Sequence, residues 1–285
     1  MAIETDNVAF IFNNAVEYST ITCSNQSTTL TSNNLKNSYR SKPYRSLNLT
    51  GPITISGTLS TPVLINSIAV IGHNIADSAT VQLKLYNASN TLIYTSADLA
   101  TSGSFSTTPW GELEWGYDPF AANVHAQDTA IMELYFETFT ELTKRWELVI
   151  TNPASMFGTY IQIRKLFLGE VFRPTYNFSA GHSYRLVDDA KLERTSAGVL
   201  LSDLATIKYR AVDFDLSVIA EVDRIRLFTE IRAIGKTKDF YISLFPDATT
   251  DKKAQYRMLA KFVEVPELVE KFNDFYSSSI RIEEA

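Results

Sequence analysis

The residues that decide the fold are Val81-Gln-Leu-Lys-Leu-Tyr86, in which apolar and polar side chains alternate. A period of two is typical of a β-strand that buries one face and exposes the other. Asn87-Ala-Ser-Asn90 follows with turn-forming residues, and Thr91-Leu-Ile-Tyr94 supplies an apolar return segment. The stretch therefore predicts a β-hairpin.

Further strand patterns lie on both sides of this hairpin. Ile68-Ala-Val-Ile71 is a short continuous apolar run, which is typical of a strand buried on both faces. Trp146-Glu-Leu-Val-Ile150 and Tyr160-Ile-Gln-Ile163 alternate again, and in the former Trp146 is expected to face the core. Many short strands with Gly, Pro and Asn between them predict a jelly-roll β-sandwich for residues 1–170.

The charge density changes after this region. Residues 1–170 carry 23 charged side chains, and the 115 residues of 171–285 carry 35. Gly169 and Pro174 interrupt the pattern near the same point. The sequence thus predicts two domains, the sandwich and an α+β domain over 171–285, so the chain as a whole is expected to be mainly β.

One principal helix is predicted over residues 218–234. Apolar residues recur there at spacings of three and four, which predicts one buried face: Val222, Ile225, Phe228 or Leu227, and Ile231. The charged residues are expected to cover the other face: Glu221, Asp223, Arg224 and Glu230. Ser217 is the predicted N-cap and Gly235 the predicted stop.

The sandwich motifs resemble those of a known family. Ser67-Ile-Ala-Val-Ile-Gly-His-Asn-Ile75, Lys144-Arg-Trp-Glu-Leu-Val-Ile150 and Tyr160-Ile-Gln-Ile-Arg-Lys-Leu-Phe-Leu-Gly169, with the hairpin and Tyr39–Ser46, are similar to tailed-phage structural proteins whose N-terminal domain is discoidin-like, or galactose-binding-like. That similarity implies the sandwich fold and transfers no catalytic residue.

The second region resembles another part of the same class of virion proteins. The helix, the strand Asp239–Pro246 and the closing strand Ile280–Glu284 are similar to the belt domain of distal tail proteins. The resemblance implies a structural component of a bacteriophage tail tip or baseplate, located in the virion and made in the host cytoplasm without a signal peptide. It implies a ring-like homo-oligomer that docks other phage tail proteins. The alternative is a glycan-binding adhesin or receptor-recognition module.

Catalytic and metal-binding patterns are not evident in the sequence. Cys23 is the single cysteine, and the three histidines are far apart in the chain. Gly235-Lys-Thr237 lacks the first glycine of a phosphate-binding loop, because position 230 is Glu. These features predict a protein that is not an enzyme and holds no cofactor or metal. The alternative of a structural Ca²⁺ ion, bound by Asp118 and Asp128, stays open.

The distance between neighbouring glutamates indicates whether they could act as the carboxylate pair of a glycosidase. Glu133 and Glu137 would lie about 13 Å apart in a strand, farther than the roughly 5–9.5 Å of glycosidase pairs. With Glu141 they are expected to form a solvated or subunit-facing acidic row. Glu112 and Glu114 pass the distance test, but turn residues dominate their surroundings.

The candidate contact residues are aromatic. Trp110, Trp115 and Tyr117 crowd into a Gly-containing loop, where they either stack on a sugar or bury in the sandwich end or in a neighbouring subunit. His73 follows a buried strand and is either a ligand contact or a strand-ending residue bonded to local backbone.

Global properties limit the partners. The net charge of −6 gives no field that attracts nucleic acid. No apolar run reaches the roughly 18 residues of a membrane helix, so membrane insertion is not expected.

Overall fold

A computed structural model of the protein describes residues 7–37, 39, 41–99, 130–156, 158–188, 190, 192–196, 198–202, 208–248, 250–272 and 274–285. The chain divides into two compact units. One, called here the sandwich unit, consists of the described residues of Ala9–Phe172 and Ser243–Arg257. The other, called the helix unit, consists of the described residues of Met1–Val8, Arg173–Ile242 and Met258–Ala285.

Strands dominate both units, which confirms the predicted mainly β fold with one principal helix. In the first part of the chain the strands are β1 (Ala9–Ile11), β2 (Ser19–Cys23), β3 (Tyr44–Arg45), β4 (Ile53–Leu64), β5 (Ser67–His73), β6 (Thr80–Tyr86), β7 (Leu92–Thr95), β8 (Ile131–Tyr135), β9 (Leu142–Thr151), β10 (Gln162–Gly169) and β11 (Val171–Phe172), with a 3-10 helix at Ser32–Lys36. The remaining elements are β12 (Ser183–Asp188), β13 (Leu192–Arg194), β14 (Leu200–Ser202), β15 (Lys208–Ala220), α1 (Glu221–Ile234), β16 (Phe240–Ser243), α2 (Thr250–Gln255), β17 (Arg257–Phe262), β18 (Val269–Phe272) and β19 (Phe275–Glu284).

The sandwich unit contains two antiparallel sheets. One has five strands in the order β2-β4-β9-β6-β7, and the other has four in the order β3-β10-β5-β8. Their buried side chains form one apolar cluster that includes Ile55, Leu83, Trp146 and Leu166. The two-layer arrangement follows because each sheet has an apolar face that only another layer can cover.

The hairpin predicted at the start is present. β6 alternates between buried and half-buried residues, and Lys84 pairs with Thr95 of β7. Asn87 organises the turn, because its side-chain oxygen accepts hydrogen bonds from the amides of Ser89 and Thr91, each at 3.0 Å. Asn90 has a φ of 62°, a left-handed conformation that asparagine adopts more readily than most residues.

The predicted facing of the 146–150 strand is confirmed. Trp146, Leu148 and Ile150 are fully buried within β9. The indole nitrogen of Trp146 donates to the Ser19 hydroxyl at 2.9 Å, so its one polar group is satisfied in the core. Glu147 lies on the other face of the sheet, where the Tyr86 hydroxyl donates to it at 2.7 Å.

The helix unit is built on a different sheet. β16, β17, β19, β15 and β12 are neighbours in that order, and β18 also pairs with β19. The β15–β19 ladder is antiparallel, with Val212 opposite Ile282 and a register shift between Leu216 and Ile219. β13 and β14 form a separate two-stranded ladder.

Helix α1 begins later than predicted. β15 continues to Ala220, which occupies the N-cap position, so the predicted N-cap Ser217 is wrong. The Ser217 hydroxyl instead contacts the hydroxyl of Ser179. Gly235 does terminate the helix, because its φ of 56° suits glycine and its amide donates to the Ile231 carbonyl at 2.8 Å.

The predicted buried face of this helix is confirmed only for Ile231 and the alternative Leu227, and Asp223, predicted on the polar face, is buried as well. Its buried residues are Asp223, Leu227, Ile231 and Ile234. Val222, Ile225 and Phe228 are 80%, 56% and 52% exposed. The carboxylate of Asp223 faces inward because it accepts a hydrogen bond from the Thr175 amide at 2.7 Å. Asp223 therefore lies on the same side of the helix as Leu227 and Ile231.

Candidate functional site

Four connections of the sandwich start and end at the same end of its strands, called here the loop end. They are residues 24–52, 74–79, 96–130 and 152–161, of which 100–129 lie outside the described residues. The pairing places them together, because β4 starts where β9 ends, with Ile53 opposite Ile150, and β5 ends beside the start of β10. At the opposite end the connections 65–66, 87–91 and 136–141 have two, five and six residues, so that 74–79, with six, is no longer than the longest of these three. The three longest connections between these strands, 24–52, 96–130 and 152–161, therefore all start and end at the loop end.

The predicted aromatic contact residues belong to the connection 96–130, of which only residues 96–99 and 130 are described. Trp110, Trp115 and Tyr117 lie outside the described residues, as do Glu112, Glu114, Asp118 and Asp128. The flanks are well defined: the Leu99 amide donates to the Val81 carbonyl at 2.8 Å, and the Gly72 amide donates to the Ala130 carbonyl at 2.8 Å. Both flanks are thus attached to the sheets at the loop end.

Asn74 joins two of these connections. Its side-chain nitrogen donates to the Ser155 hydroxyl at 2.8 Å and to the Tyr160 carbonyl at 2.9 Å. Its side-chain oxygen accepts from the Gln162 amide at 2.6 Å, and its carbonyl accepts from the Met156 amide at 2.8 Å. Asn74 is 1% exposed, so it fixes the loops from beneath.

Asn25 joins the two ends of the connection 24–52 through hydrogen bonds. Its side-chain oxygen accepts from the amides of Leu47 and Asn48, and its carbonyl accepts from the Tyr44 hydroxyl at 2.7 Å. Cys23 lies close by, half-buried, with its sulfur 3.3 Å from the Tyr44 hydroxyl. This agrees with the interpretation of Cys23 as a small packed side chain.

An arginine at the end of β3 and a tyrosine just before β10 stack at the loop end. The Arg45 guanidinium lies over the Tyr160 ring, 4.0 Å from its centroid, and donates to the Gln162 side chain at 3.0 Å. A cation on a ring face is electrostatically favourable. Sequence reasoning missed this pair, because the two residues are 115 positions apart and lie in two separate motifs that no local pattern connects.

His73 is the last residue of β5 and is 1% exposed. Its Nδ1 accepts a hydrogen bond from the Ile75 amide at 3.2 Å. Burial, followed by the positive charge of Arg257, lowers the pKa of His73 to about 3. The ring is therefore neutral at pH 7 and makes the local backbone contact of a strand-ending histidine; its role in ligand contact stays a prediction.

The predicted acidic row is wrong. β8 ends at Tyr135, so Glu133, Glu137 and Glu141 do not share a strand. The Glu133 side chain has no exposed surface and lies 3.0 Å from the Lys253 ammonium. It also accepts from the Tyr135 hydroxyl at 2.8 Å. Its carboxylate is buried because these partners replace the water it would otherwise need.

A cavity of about 470 Å³ lies in the helix unit between the end of β17 and the start of β18. Serines 277, 278 and 279 of β19 line it together with Asp215, Lys271 and Arg281. No sequence pattern predicts it, because Asp215 of β15 and Lys271 of β18 are brought to β19 only by the fold. Among the described residues, no group of three or more potential metal ligands occurs, and no helix is long and apolar enough to cross a membrane.

Comparisons with known proteins give similarities of structure. No family model and no curated protein sequence matches the chain. Among solved structures, the lectin domain of lectinolysin complexed with Lewis B antigen has 9% identity and a TM-score of 0.36, over 60% of this chain and 99% of that one. A Streptococcus pneumoniae fucose binding module has 9% identity and a TM-score of 0.37, over 55% and 94%. The family 32 carbohydrate-binding module of C. perfringens NanJ, in complex with galactose, has 12% identity and a TM-score of 0.36, over 56% and 98%.

Proposed function

We propose that the protein is a binding protein whose loop end recognises carbohydrate, and that it is not an enzyme. The observation that carries this proposal is the asymmetry of the sandwich, whose three longest connections, 24–52, 96–130 and 152–161, all start and end at the same end. A rigid scaffold that presents loops at one end is a common arrangement for ligand recognition.

Preorganisation supports the same proposal. Asn74 and Asn25 hold the loops through hydrogen bonds to their backbone, independently of any ligand. Loops that are already ordered lose less conformational entropy when a ligand binds. The two asparagines therefore act as positioning residues beneath the contact surface.

The chemistry of the loops favours a sugar. A saccharide offers hydroxyl groups that donate and accept hydrogen bonds, and C–H faces that pack on aromatic rings. The Arg45–Tyr160 pair supplies a cation and a ring at this end. Trp110, Trp115 and Tyr117 belong to the connection whose flanks are attached here, and we propose them as the stacking residues.

The test is a glycan panel screened with the full chain, followed by titration of the best binder. Trp110→Ala and Trp115→Ala should each weaken binding at least tenfold, which is about 1.4 kcal/mol. Tyr18→Ala is the matched control, since Tyr18 is 61% exposed and precedes β2 at the opposite end. Absence of any glycan binding, or tryptophan variants that bind like the unmodified protein, would contradict the proposal. Polysaccharide cleavage that is lost in Glu112→Gln would overturn the non-enzymatic part.

A second candidate function is a structural role in a phage tail tip or baseplate, as the family resemblance implies. The observation in its favour is the amount of apolar surface on the helix unit, where Phe228, Phe272 and Phe275 are 52%, 75% and 40% exposed. Exposed apolar residues in such numbers favour a protein interface. In this proposal residues 171–285 dock other tail proteins. Locating the labelled chain in imaged virions tests it, and particles that lack the chain would overturn it.

A further inference from the structure

Helix α1 has apolar residues on two opposite faces. Leu227, Ile231 and Ile234 are buried in the helix unit. Ile225 and Phe228 lie on the opposite face and are 56% and 52% exposed. A surface helix normally has one apolar stripe and one polar face. The second apolar stripe therefore needs an explanation other than the folding of this unit.

The second stripe has a definite pattern. Glu221, Ile225, Phe228 and Arg232 follow one another at spacings of four, three and four residues. Residues at these spacings lie along one side of a helix, here over about 16 Å at 1.5 Å per residue. The stripe begins with an acid, has two apolar residues at its centre, and ends with a base. Read from either end, the spacings are the same.

We propose that a second copy of this chain covers this stripe, with the two α1 helices packed antiparallel across a two-fold axis. In this arrangement Ile225 packs on the partner's Phe228, and Phe228 packs on the partner's Ile225. Glu221 meets the partner's Arg232 at one end, and the reciprocal pair forms at the other. A two-fold contact requires such self-complementarity.

The charges of the stripe select the antiparallel arrangement. A parallel pair would place Glu221 against Glu221 and Arg232 against Arg232, which is repulsive. Arg232 is exposed and has no ion-pair partner among the described residues. Glu221 holds Arg224 through both carboxylate oxygens, at 2.6 and 2.5 Å, and also interacts with Tyr276, but each carboxylate oxygen has a further lone pair that can accept a second cation.

Apolar surface continues beside the first turn of the helix. Ala220, directly before α1, pairs with Phe275 of β19, which is 40% exposed. A stripe of four residues alone corresponds to a small interface, so a weak, concentration-dependent dimer is expected. This inference does not depend on the proposed carbohydrate binding, although two linked copies would bind a multivalent glycan more tightly.

The first test is the mass of the full chain in solution as a function of concentration, by sedimentation or light scattering. A monomer–dimer equilibrium is expected. Phe228→Ser should raise its dissociation constant about thirtyfold or more, the usual effect of losing a central aromatic anchor. Leu92→Ser is the control, because Leu92 is 50% exposed on β7 of the sandwich unit, and it should leave the equilibrium unchanged.

The second test exchanges the charges. Glu221→Lys alone and Arg232→Glu alone should each weaken dimerisation, because each creates two like-charged contacts. Mixing the two variants should restore a one-to-one dimer, since both end contacts then join opposite charges. Circular dichroism checks that each variant is folded.

Several results would overturn the proposal. They are a chain that stays monomeric up to its solubility limit, a Phe228→Ser variant that associates like the unmodified protein, and variants that do not recover on mixing. A closed ring larger than a dimer that survives Phe228→Ser would assign self-association to another surface.

Discussion

Gly57 of β4 lies directly against the indole ring of Trp146 on the neighbouring strand β9. The two residues are opposite each other in the ladder, and a β-carbon added at Gly57 would stand 2.2 Å from Cε2 of Trp146. No real β-carbon comes so close to a ring. The missing side chain at position 57 is therefore what lets the largest residue of the core occupy its place.

We expect Gly57→Ala to lower the free energy of unfolding by about 3 kcal/mol, the upper range for overpacking a core. In a Trp146→Leu background the same substitution should cost much less, because the ring is gone. Thr58→Ala, on the adjacent exposed residue, should stay within about 0.5 kcal/mol. Urea unfolding of the four variants measures this, and equal costs of Gly57→Ala in both backgrounds would contradict the steric explanation.

The buried His73 should make stability depend on pH. Its folded pKa of about 3 lies below its ordinary value of 6.5. Between these values the unfolded chain binds a proton that the folded chain does not. The free energy of unfolding should therefore be fully present above about pH 6.5 and fall by up to about 1.4 kcal/mol per pH unit below it.

His73→Gln should remove this part of the pH dependence, which is measured as the difference between its unfolding curves and those of the unmodified protein from pH 7 to pH 4. His182→Gln, on a half-buried histidine of the helix unit, is the control and should keep the slope. Identical slopes for His73→Gln and the unmodified protein would show that this ring titrates normally.

Lys253 should contribute to stability, because its ammonium group pairs with the buried carboxylate of Glu133. Lys253→Met would leave the charge of Glu133 buried without its cation, at a cost on the order of 3 kcal/mol. Adding Glu133→Gln should recover part of that loss, because the stranded charge is removed. Lys84→Met on β6 is the control, and thermal unfolding measures the stability of each variant. An equal loss of stability in Lys84→Met and Lys253→Met would rule out the ion pair as a stabilising contact.

Asn74 should couple loop order to binding. Asn74→Asp keeps the acceptor for the Gln162 amide but loses the donor to the Tyr160 carbonyl, so it should destabilise by about 1–3 kcal/mol. Asn33→Ala, at an exposed position of the 3-10 helix, should have little effect. Under the proposed function Asn74→Asp also weakens glycan binding, and calorimetric titration that finds unchanged affinity would remove Asn74 from its positioning role.

Local patterns predicted the strands well, because a period of two reports directly which face of a strand is buried. The hairpin at 81–94 and the inward facing of Trp146 follow from neighbours in the sequence. The helix was harder, because it has apolar residues on two faces and the sequence does not say which one packs. The packed face includes Asp223, whose buried carboxylate accepts a hydrogen bond from Thr175, 48 residues away, and no local pattern predicts that contact.

The candidate site shows the same limit. Asn74 and Arg45 acquire their roles from partners brought together by the sheets, at distances of 81 to 117 residues along the chain. Glu133 was misplaced for the same reason, since Lys253 comes from a distant helix that no local pattern connects to β8. What the sequence does indicate is the concentration of Trp110, Trp115 and Tyr117 in one connection.

The division of the chain into units that are each discontinuous in sequence has a consequence for synthesis. The Asn7 side chain donates to the Pro174 carbonyl, and the Val8 amide donates to the side chain of Asn177. During translation these early residues must wait until some 170 more have been made before their partners exist. Ser243–Arg257 is likewise made long after the sandwich strands with which it is grouped. Neither unit can therefore be completed during synthesis before part of the other has been made, and a cut at residue 170 would separate Met1–Val8 and Ser243–Arg257 from the residues with which they are grouped.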